Sequence, residues 1–126
     1  LGQRVRFRGQ VPEDYKHALL AQADLHLMPS LKEGWGLAVM EAAQHRVPTV
    51  GYSFGLRDSV RDQVTGRLVE TPAQLLEATR DLIADSAERE RLGAGAEEFA
   101  AQFSWETTGR RFKDLLERVT GTTSAR

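Results

Sequence analysis

The chain contains no cysteine, which excludes disulfide scaffolds and thiolate metal sites and fits the reducing cytoplasm in which we expect the protein. It also lacks an excess of charge, because 17 lysines and arginines oppose 18 aspartates and glutamates. This balance argues against a nucleic-acid partner, which would require a basic surface. No apolar run approaches the roughly 18 residues of a membrane span. With 40% hydrophobic residues among 126, the composition is that of a globular domain.

Short apolar runs alternate with amphipathic stretches along the first 70 residues. Arginines alternate with Val5 and Phe7, a period of two that is typical of a strand. The predicted strands cover residues 4–9, 24–30, 48–52 and 67–70. Helices are predicted between them over 10–23 and from Leu37 to about Gln44. This order predicts an α/β fold, a Rossmann-like parallel sheet flanked by helices.

Three further helices are predicted in the last third of the chain. Thr71 is a suitable N-cap with Pro72 behind it, and Ser104 caps the last helix. We expect the apolar residues at helical spacing to face inward: Leu75, Leu76, Thr79, Leu82 and Ile83, then Leu92, Ala96, Phe99 and Phe103, then Trp105, Phe112, Leu115, Leu116 and Val119. Gly93 and Gly95 should weaken the middle helix. Residues 1–119 are predicted to form one domain, followed by a flexible tail over 120–126.

The segment "PSLKEGWGLAVMEAAQ", residues 29–44, contains the residues that predict a ligand-binding site. Pro29 and the glycines around Trp35 break the chain after a strand, so Glu33 belongs to a loop and Glu41 to the second turn of a helix. The free amides of that helix lie where α/β folds bind ligands, beyond the carboxyl ends of the strands, and favour a phosphate. A carboxylate can accept both hydroxyls of a vicinal diol. Diol, phosphate and diol together are the pattern of a nucleotide sugar.

These residues carry a resemblance to a known family. "PSLKEGWGLAVMEAAQHRVPTV" resembles the E-x7-E motif of the retaining glycosyltransferases of family four, which have the two-domain GT-B fold. "VRFRGQVPEDYKHALLAQADLHLMPS" before it, and "FGLRDSVRDQVTGRLVE" and "FSWETT" after it, resemble the family's neighbouring segments in the same order. The resemblance covers Val5 to about Val119. It implies an incomplete half of the C-terminal, nucleotide-sugar-binding domain, with a helical C-terminal end.

The resemblance also implies roles for individual residues. Glu33 would be the catalytic residue and would hold hydroxyls of the donor sugar, while Glu41 would bind the ribose diol. The donor's sugar and diphosphate would lie along the backbone of Gly34, Trp35, Gly36 and Leu37. The base would lie beside Gly9, Gln10 and Val11. The donor would be linked to UDP, GDP or ADP, and neither a metal nor another cofactor is implied.

The chain departs from the family in several respects. The family's donor-binding Arg and Lys and its N-terminal domain, which binds an acceptor sugar or lipid-linked glycan, would precede residue 1. We therefore expect the isolated chain to be inactive and to self-associate through uncovered apolar surface, and the parent could act at a membrane surface. Arg46 occupies a left-handed position that is usually glycine, at a cost of about 1 kcal/mol. Phe54-Gly55 replaces a pair of glycines, so phosphate or sugar contacts from that loop are in doubt.

Two other functions are compatible with the same residues. One is a non-catalytic nucleotide-binding or interaction module, and the other is a GT-B nucleotide-sugar epimerase. Trp35 could stack on a ligand or fill a gap under its loop, and Trp105 and Phe112 could pack in the core or between domains. The three histidines, at positions 17, 26 and 45, lack the spacing of metal ligands.

Overall fold

A three-stranded parallel sheet is the centre of the fold in the computed structural model, which describes residues 2–121. The strands are β1 (His26–Met28), β2 (Thr49–Tyr52) and β3 (Gly66–Val69), in the order β1-β2-β3. The helices are α1 (Glu13–Leu20), α2 (Leu37–Gln44), α3 (Ser53–Leu56), α4 (Pro72–Ala84), α5 (Ser86–Ala100) and α6 (Trp105–Thr120). The α/β class predicted from the sequence is confirmed.

The predicted first strand is wrong. Residues 5–9 have no regular structure, and the side chain of Phe7 is 96% exposed. An alternating pattern gives a strand only where a neighbouring strand supplies hydrogen bonds, and within residues 2–121 β1 pairs with β2 alone. The segment contacts α1 through Arg8, whose guanidinium lies 5.9 Å from the ring centroid of Tyr15.

The core lies on both faces of the sheet and is continuous with α5. All four residues of β2 are buried, as expected for a central parallel strand. On one face, α2, α3, the segment after α3 and α5 contribute a cluster made of Val39, Met40, Ala43, Leu56, Val60, Ala96, Phe99 and Ala100. A second cluster joins β2, α4 and α5 through Val50, Leu82 and Leu92. Helix α2, which carries Glu41, therefore packs directly against α5.

The glycines of α5 allow this close packing rather than weakening the helix. A Cβ atom at Gly93 would overlap the backbone carbonyl of Arg46, and one at Gly95 would overlap that of Val64. The helix is continuous from Ser86 to Ala100. Arg46 has a φ of 60°, the left-handed conformation expected from the sequence.

The inward orientation predicted for the C-terminal helices holds only in part. The caps are confirmed, since the side chains of Thr71 and Ser104 accept hydrogen bonds from backbone amides of the first turns. Leu82 is buried, but Leu76 and Ile83 are exposed. The prediction is wrong for α6, whose apolar residues Trp105, Phe112, Leu115, Leu116 and Val119 are all exposed. Within residues 2–121, the backbone of α6 makes no close contact with another helix or a strand.

The C-terminal boundary differs slightly from the prediction. Helix α6 includes Thr120, the first residue of the expected tail, and Gly121 ends the helix with a φ of 67°. Residues 122–126 lie outside the described part, so for them the flexible tail stays a prediction. Self-association through uncovered apolar surface also stays a prediction. In the described part, no helix has the length and apolar character needed to cross a bilayer.

Candidate functional site

The loop over residues 29–36 leaves the carboxyl end of β1 and leads into α2. Gly36 is the N-cap of this helix and has a φ of 76°, a left-handed conformation that favours glycine. The carbonyl of Gly36 accepts hydrogen bonds from the amides of Val39 and Met40, at 2.9 and 3.3 Å. No side chain caps the helix, so the amides at its very start remain available to a ligand.

Two glycines bring the loop against the segment that follows β2. A Cβ atom at Gly36 would lie 3.0 Å from Ser59 Oγ, and one at Gly55 would press on the carbonyl of Ser30. Gly55 therefore has a packing role in positioning the loop. Gly34 is different, because it is exposed and nothing lies within 4 Å of the position of a Cβ atom.

The two carboxylates of the motif have unlike surroundings. Glu33 is half-buried, and within the described residues it makes no hydrogen bond or ion pair. Glu41 lies in the second turn of α2, and its Oε1 accepts a hydrogen bond from Lys16 Nζ at 2.7 Å. Glu33 thus has no hydrogen-bond partner among the described residues, whereas Glu41 is paired with Lys16 of α1.

Lys16 joins two helices at the site. Its ammonium also lies 2.8 Å from Glu13 Oε2, so it sits between two carboxylates. The hydrogen bond to Glu13, followed by the one to Glu41, raises the pKa of Lys16 above its ordinary value. The sequence analysis did not find Lys16. Its only signal is the three-residue spacing from Glu13, which any exposed helix can show.

Trp35 packs under the loop. Its ring is half-buried against the first core cluster, with its centroid 4.8 Å from that of Phe103, which in turn lies 4.9 Å from that of Phe99. Of the two roles considered for Trp35, the structure shows packing. Trp35 also lines a cavity of about 650 Å³ together with Leu37, Met40, Glu41, Gln44, Ala100, Phe103, Ser104, Trp105 and Thr108.

The segment proposed for the base lies immediately before α1. Gly9 has a φ of 62° with open space around it, Gln10 is exposed and Val11 is half-buried. The structure brings Trp35, Leu37 and Glu41 together around one cavity. Within the described residues, no hydrogen bond connects residues 9–11 to the loop over 29–36.

The histidines form contacts that the sequence did not predict. His17 Nδ1 lies 2.9 Å from His45 Nε2, which connects α1 to the end of α2. His26 Nδ1 lies 3.0 Å from Thr49 Oγ1, and burial lowers the pKa of His26 while the nearby charge of Glu41 opposes the shift. In the described part of the chain, no group of three His, Cys, Asp or Glu side chains is arranged to bind a metal.

Comparison with known proteins gives consistent matches. A profile of the family described as "Glycosyl transferases group 1" matches residues 1–85. The D-inositol 3-phosphate glycosyltransferase of a Nocardioides species is 38% identical over 121 residues, which are 94% of this chain and 26% of that protein. The protein of the same name from Geodermatophilus obscurus is 44% identical over 89 residues, which are 68% of this chain and 19% of that protein.

A solved structure supports the same relationship. The sucrose-phosphate synthase from Thermosynechococcus elongatus matches with a TM-score of 0.85 and 29% identity, over 97% of this chain and 32% of that chain. This likeness confirms the predicted fold class, a Rossmann-like part of a GT-B C-terminal domain. The chain spans about a quarter of the length of the curated relatives it matches.

Proposed function

Because the chain belongs to the group 1 glycosyl transferases, we propose that it supplies part of the site at which such an enzyme binds its nucleotide-sugar donor. The parent would transfer the sugar to an acceptor with retention of configuration. One observation carries the proposal: the uncapped N-terminus of α2 lies beyond the carboxyl end of β1, with Glu33 before it and Glu41 one turn into it.

The first turn of α2 is proposed to bind the diphosphate. Its free amides carry partial positive charge from the helix dipole, and no side chain competes for them. Gly34 leaves the backbone of the loop accessible to a ligand, since it has no side chain and is exposed, whereas the buried Gly36 provides the left-handed turn into the helix. Leu37, the first residue of the helix, is 72% exposed at this edge.

The carboxylates are proposed to bind the two sugars of the donor. Glu33 has no competing partner among the described residues, which suits a catalytic residue that accepts hydrogen bonds from hydroxyls of the transferred sugar. Glu41 would accept the hydroxyls of the ribose. Hydrogen bonds to a charged group contribute roughly 1.5 to 3 kcal/mol each, so either carboxylate could account for tenfold or more in affinity.

The base is proposed to lie beside Gly9, Gln10 and Val11, which precede the helix that carries Lys16. UDP, GDP and ADP donors are all compatible with this arrangement, and the proposal requires no metal. The acceptor would be bound by another part of the parent, since the chain matches only about a third of the solved relative.

An amide NMR titration with UDP, GDP and ADP tests the proposal. We expect weak binding, with a dissociation constant in the millimolar range, because only part of a donor site is present. Shifts should concentrate on Gly34 to Leu37, on Glu41 and on residues 9–11. Glu41→Ala should weaken the binding at least tenfold, because it removes the acceptor proposed for the ribose.

Glu98→Ala is the matched control, because Glu98 is an exposed carboxylate on α5 that does not line the cavity beside the loop. It should leave the affinity unchanged. Shifts located elsewhere, equal effects of the two substitutions, or no response to any of the three nucleotides at millimolar concentration would contradict the proposal.

A further inference from the structure

We propose that Lys16 is a positioning residue that orients the carboxylate of Glu41 for the ribose and so sets the preference for ribose over 2′-deoxyribose. The proposal rests on the proposed function, in which Glu41 binds the ribose diol. It adds a residue of α1 to a site otherwise built from the β1–α2 loop and α2.

The hydrogen bond from Lys16 restrains one carboxylate oxygen of Glu41 and leaves the carboxylate able to accept further hydrogen bonds. Oε1 is held at 2.7 Å from Lys16 Nζ, while Oε2 is not engaged by any described residue. Each carboxylate oxygen has two lone-pair directions, so Oε1 can accept from both the ammonium and a hydroxyl. A diol can therefore bind while the ion pair remains in place.

Fixing this side chain matters because glutamate is flexible. Glu41 lies on a half-exposed helix surface, where a free glutamate would sample several rotamers. Ordering a long polar side chain costs conformational entropy. If the ion pair already restrains the carboxylate, the ligand bears less of that cost, and affinity rises by preorganisation.

Lys16 is itself held in place. Glu13 Oε2 binds the same ammonium at 2.8 Å, and one residue further along α1 His17 contacts His45 at the end of α2. The packing of α1 on α2 thus fixes the distance between the backbone of Lys16 and the carboxylate of Glu41. Two carboxylates share one ammonium, so the Glu13–Lys16–Glu41 group keeps a net negative charge and remains an acceptor for neutral hydroxyls.

The test compares each nucleoside diphosphate with its 2′-deoxy form, using whichever of UDP, GDP and ADP binds the chain best. The ratio of the two dissociation constants is measured for the unchanged chain and for Lys16→Met, Lys16→Arg and Glu41→Ala. We expect the unchanged chain to prefer the ribose form at least fivefold, Glu41→Ala to abolish the preference, and Lys16→Met to reduce it at least twofold without reversing it. Lys16→Arg, which keeps a hydrogen-bonding cation, should restore most of it.

Lys113→Met is the matched control, because Lys113 also pairs with a glutamate, Glu117, on the remote helix α6. It should change neither the ratio nor the affinity. A lysine that only stabilised α1 would alter the melting temperature but not the ratio, and Lys16→Arg would not rescue a ratio that had not changed.

The outcomes separate this inference from the proposed function. If Glu41→Ala abolishes the preference and Lys16→Met does not, the role of Lys16 is wrong and the donor site stands. If Lys16→Met binds the ribose form more tightly, Lys16 competes with the ligand and the inference is overturned. If Glu41→Ala leaves the preference intact, or if no nucleotide binds, both proposals fail.

Discussion

Helices α5 and α6 are of nearly equal length, 15 and 16 residues, yet only one is part of the core. Helix α6 separates apolar from polar residues clearly along its length, but none of its residues is buried. Helix α5 has a less regular pattern and buries Leu92, Gly93, Ala96, Phe99 and Ala100. Amphipathic periodicity therefore identifies a helix, whereas small residues at the points of closest approach identify the helix that packs.

The difference matters for the site because α5 supports α2. Gly93 lies against the carbonyl of Arg46, just beyond the end of α2, and Phe99 contacts Phe103, which supports Trp35 under the loop. Helix α6 contributes Trp105 and Thr108 to the rim of the cavity but no contact with the sheet. The position of the loop over 29–36 should thus depend on α5 far more than on α6.

The largest contrast is expected between leucines of the two helices. Leu92 of α5 is completely buried, so Leu92→Ala should lower the free energy of unfolding by about 2–5 kcal/mol. Leu116 of α6 is 47% exposed, and Leu116→Ala should change it by about 0.5 kcal/mol or less. Urea denaturation followed by circular dichroism measures both. Similar losses would show that α6 is packed in solution and would remove the contrast.

Replacing a glycine with alanine should change the free energy of unfolding with opposite sign in the two helices. A methyl group at Gly93 would overlap the carbonyl of Arg46, and we expect Gly93→Ala to destabilise the fold by about 1–3 kcal/mol. Gly109 of α6 has open space around it, so Gly109→Ala should stabilise by up to about 1 kcal/mol through helix propensity. Thermal melts of the two variants decide the matter, and a stabilising Gly93→Ala would contradict the packing described.

The smallest expected effect is a dependence of the free energy of unfolding on pH, caused by His26 of β1. Burial lowers the pKa of His26, so the unfolded state binds a proton more readily than the folded state. The resulting stability is complete above the ordinary histidine pKa of about 6.5 and is lost as the pH falls through the lowered value. His26→Gln should therefore flatten the stability profile below about pH 6.5. Gly109→Ala, which leaves every histidine in place, should keep the slope, and an equal slope in both variants would exclude His26 as its source.

Local signals were sufficient to predict much of the fold. The bounds of α2 and the caps Thr71 and Ser104 depend on residues within one turn of each other, whereas the left-handed conformation of Arg46 was implied by the family resemblance. The strand over 4–9 and the burial of α6 were wrong because both depend on a partner surface, which periodicity does not specify. Within residues 2–121 neither segment has one.

For the candidate site, too, the sequence predicted the local features and missed those that depend on contacts between distant residues. The spacing of Glu33 and Glu41 and the break at Gly36 could be read from the sequence, because loop and helix are contiguous. The contact between Lys16 and Glu41 joins residues 25 positions apart, and it arises only when α1 packs on α2. The packing role of Gly55 against Ser30 likewise follows from the way two loops meet at one sheet edge.

The central position of β2 has a consequence for how the molecule opens. Both strand pairings and the packing of α4 involve Thr49–Tyr52, so β2 is exposed to solvent only when β1, β3 and α4 all separate from it. Its amides should exchange with deuterium only when the whole chain unfolds, whereas those of α6 exchange through local fraying that requires little free energy. The loop over 29–36 thus lies beside the strand that we expect to exchange most slowly, and a change in the loop need not break the pairings of that strand.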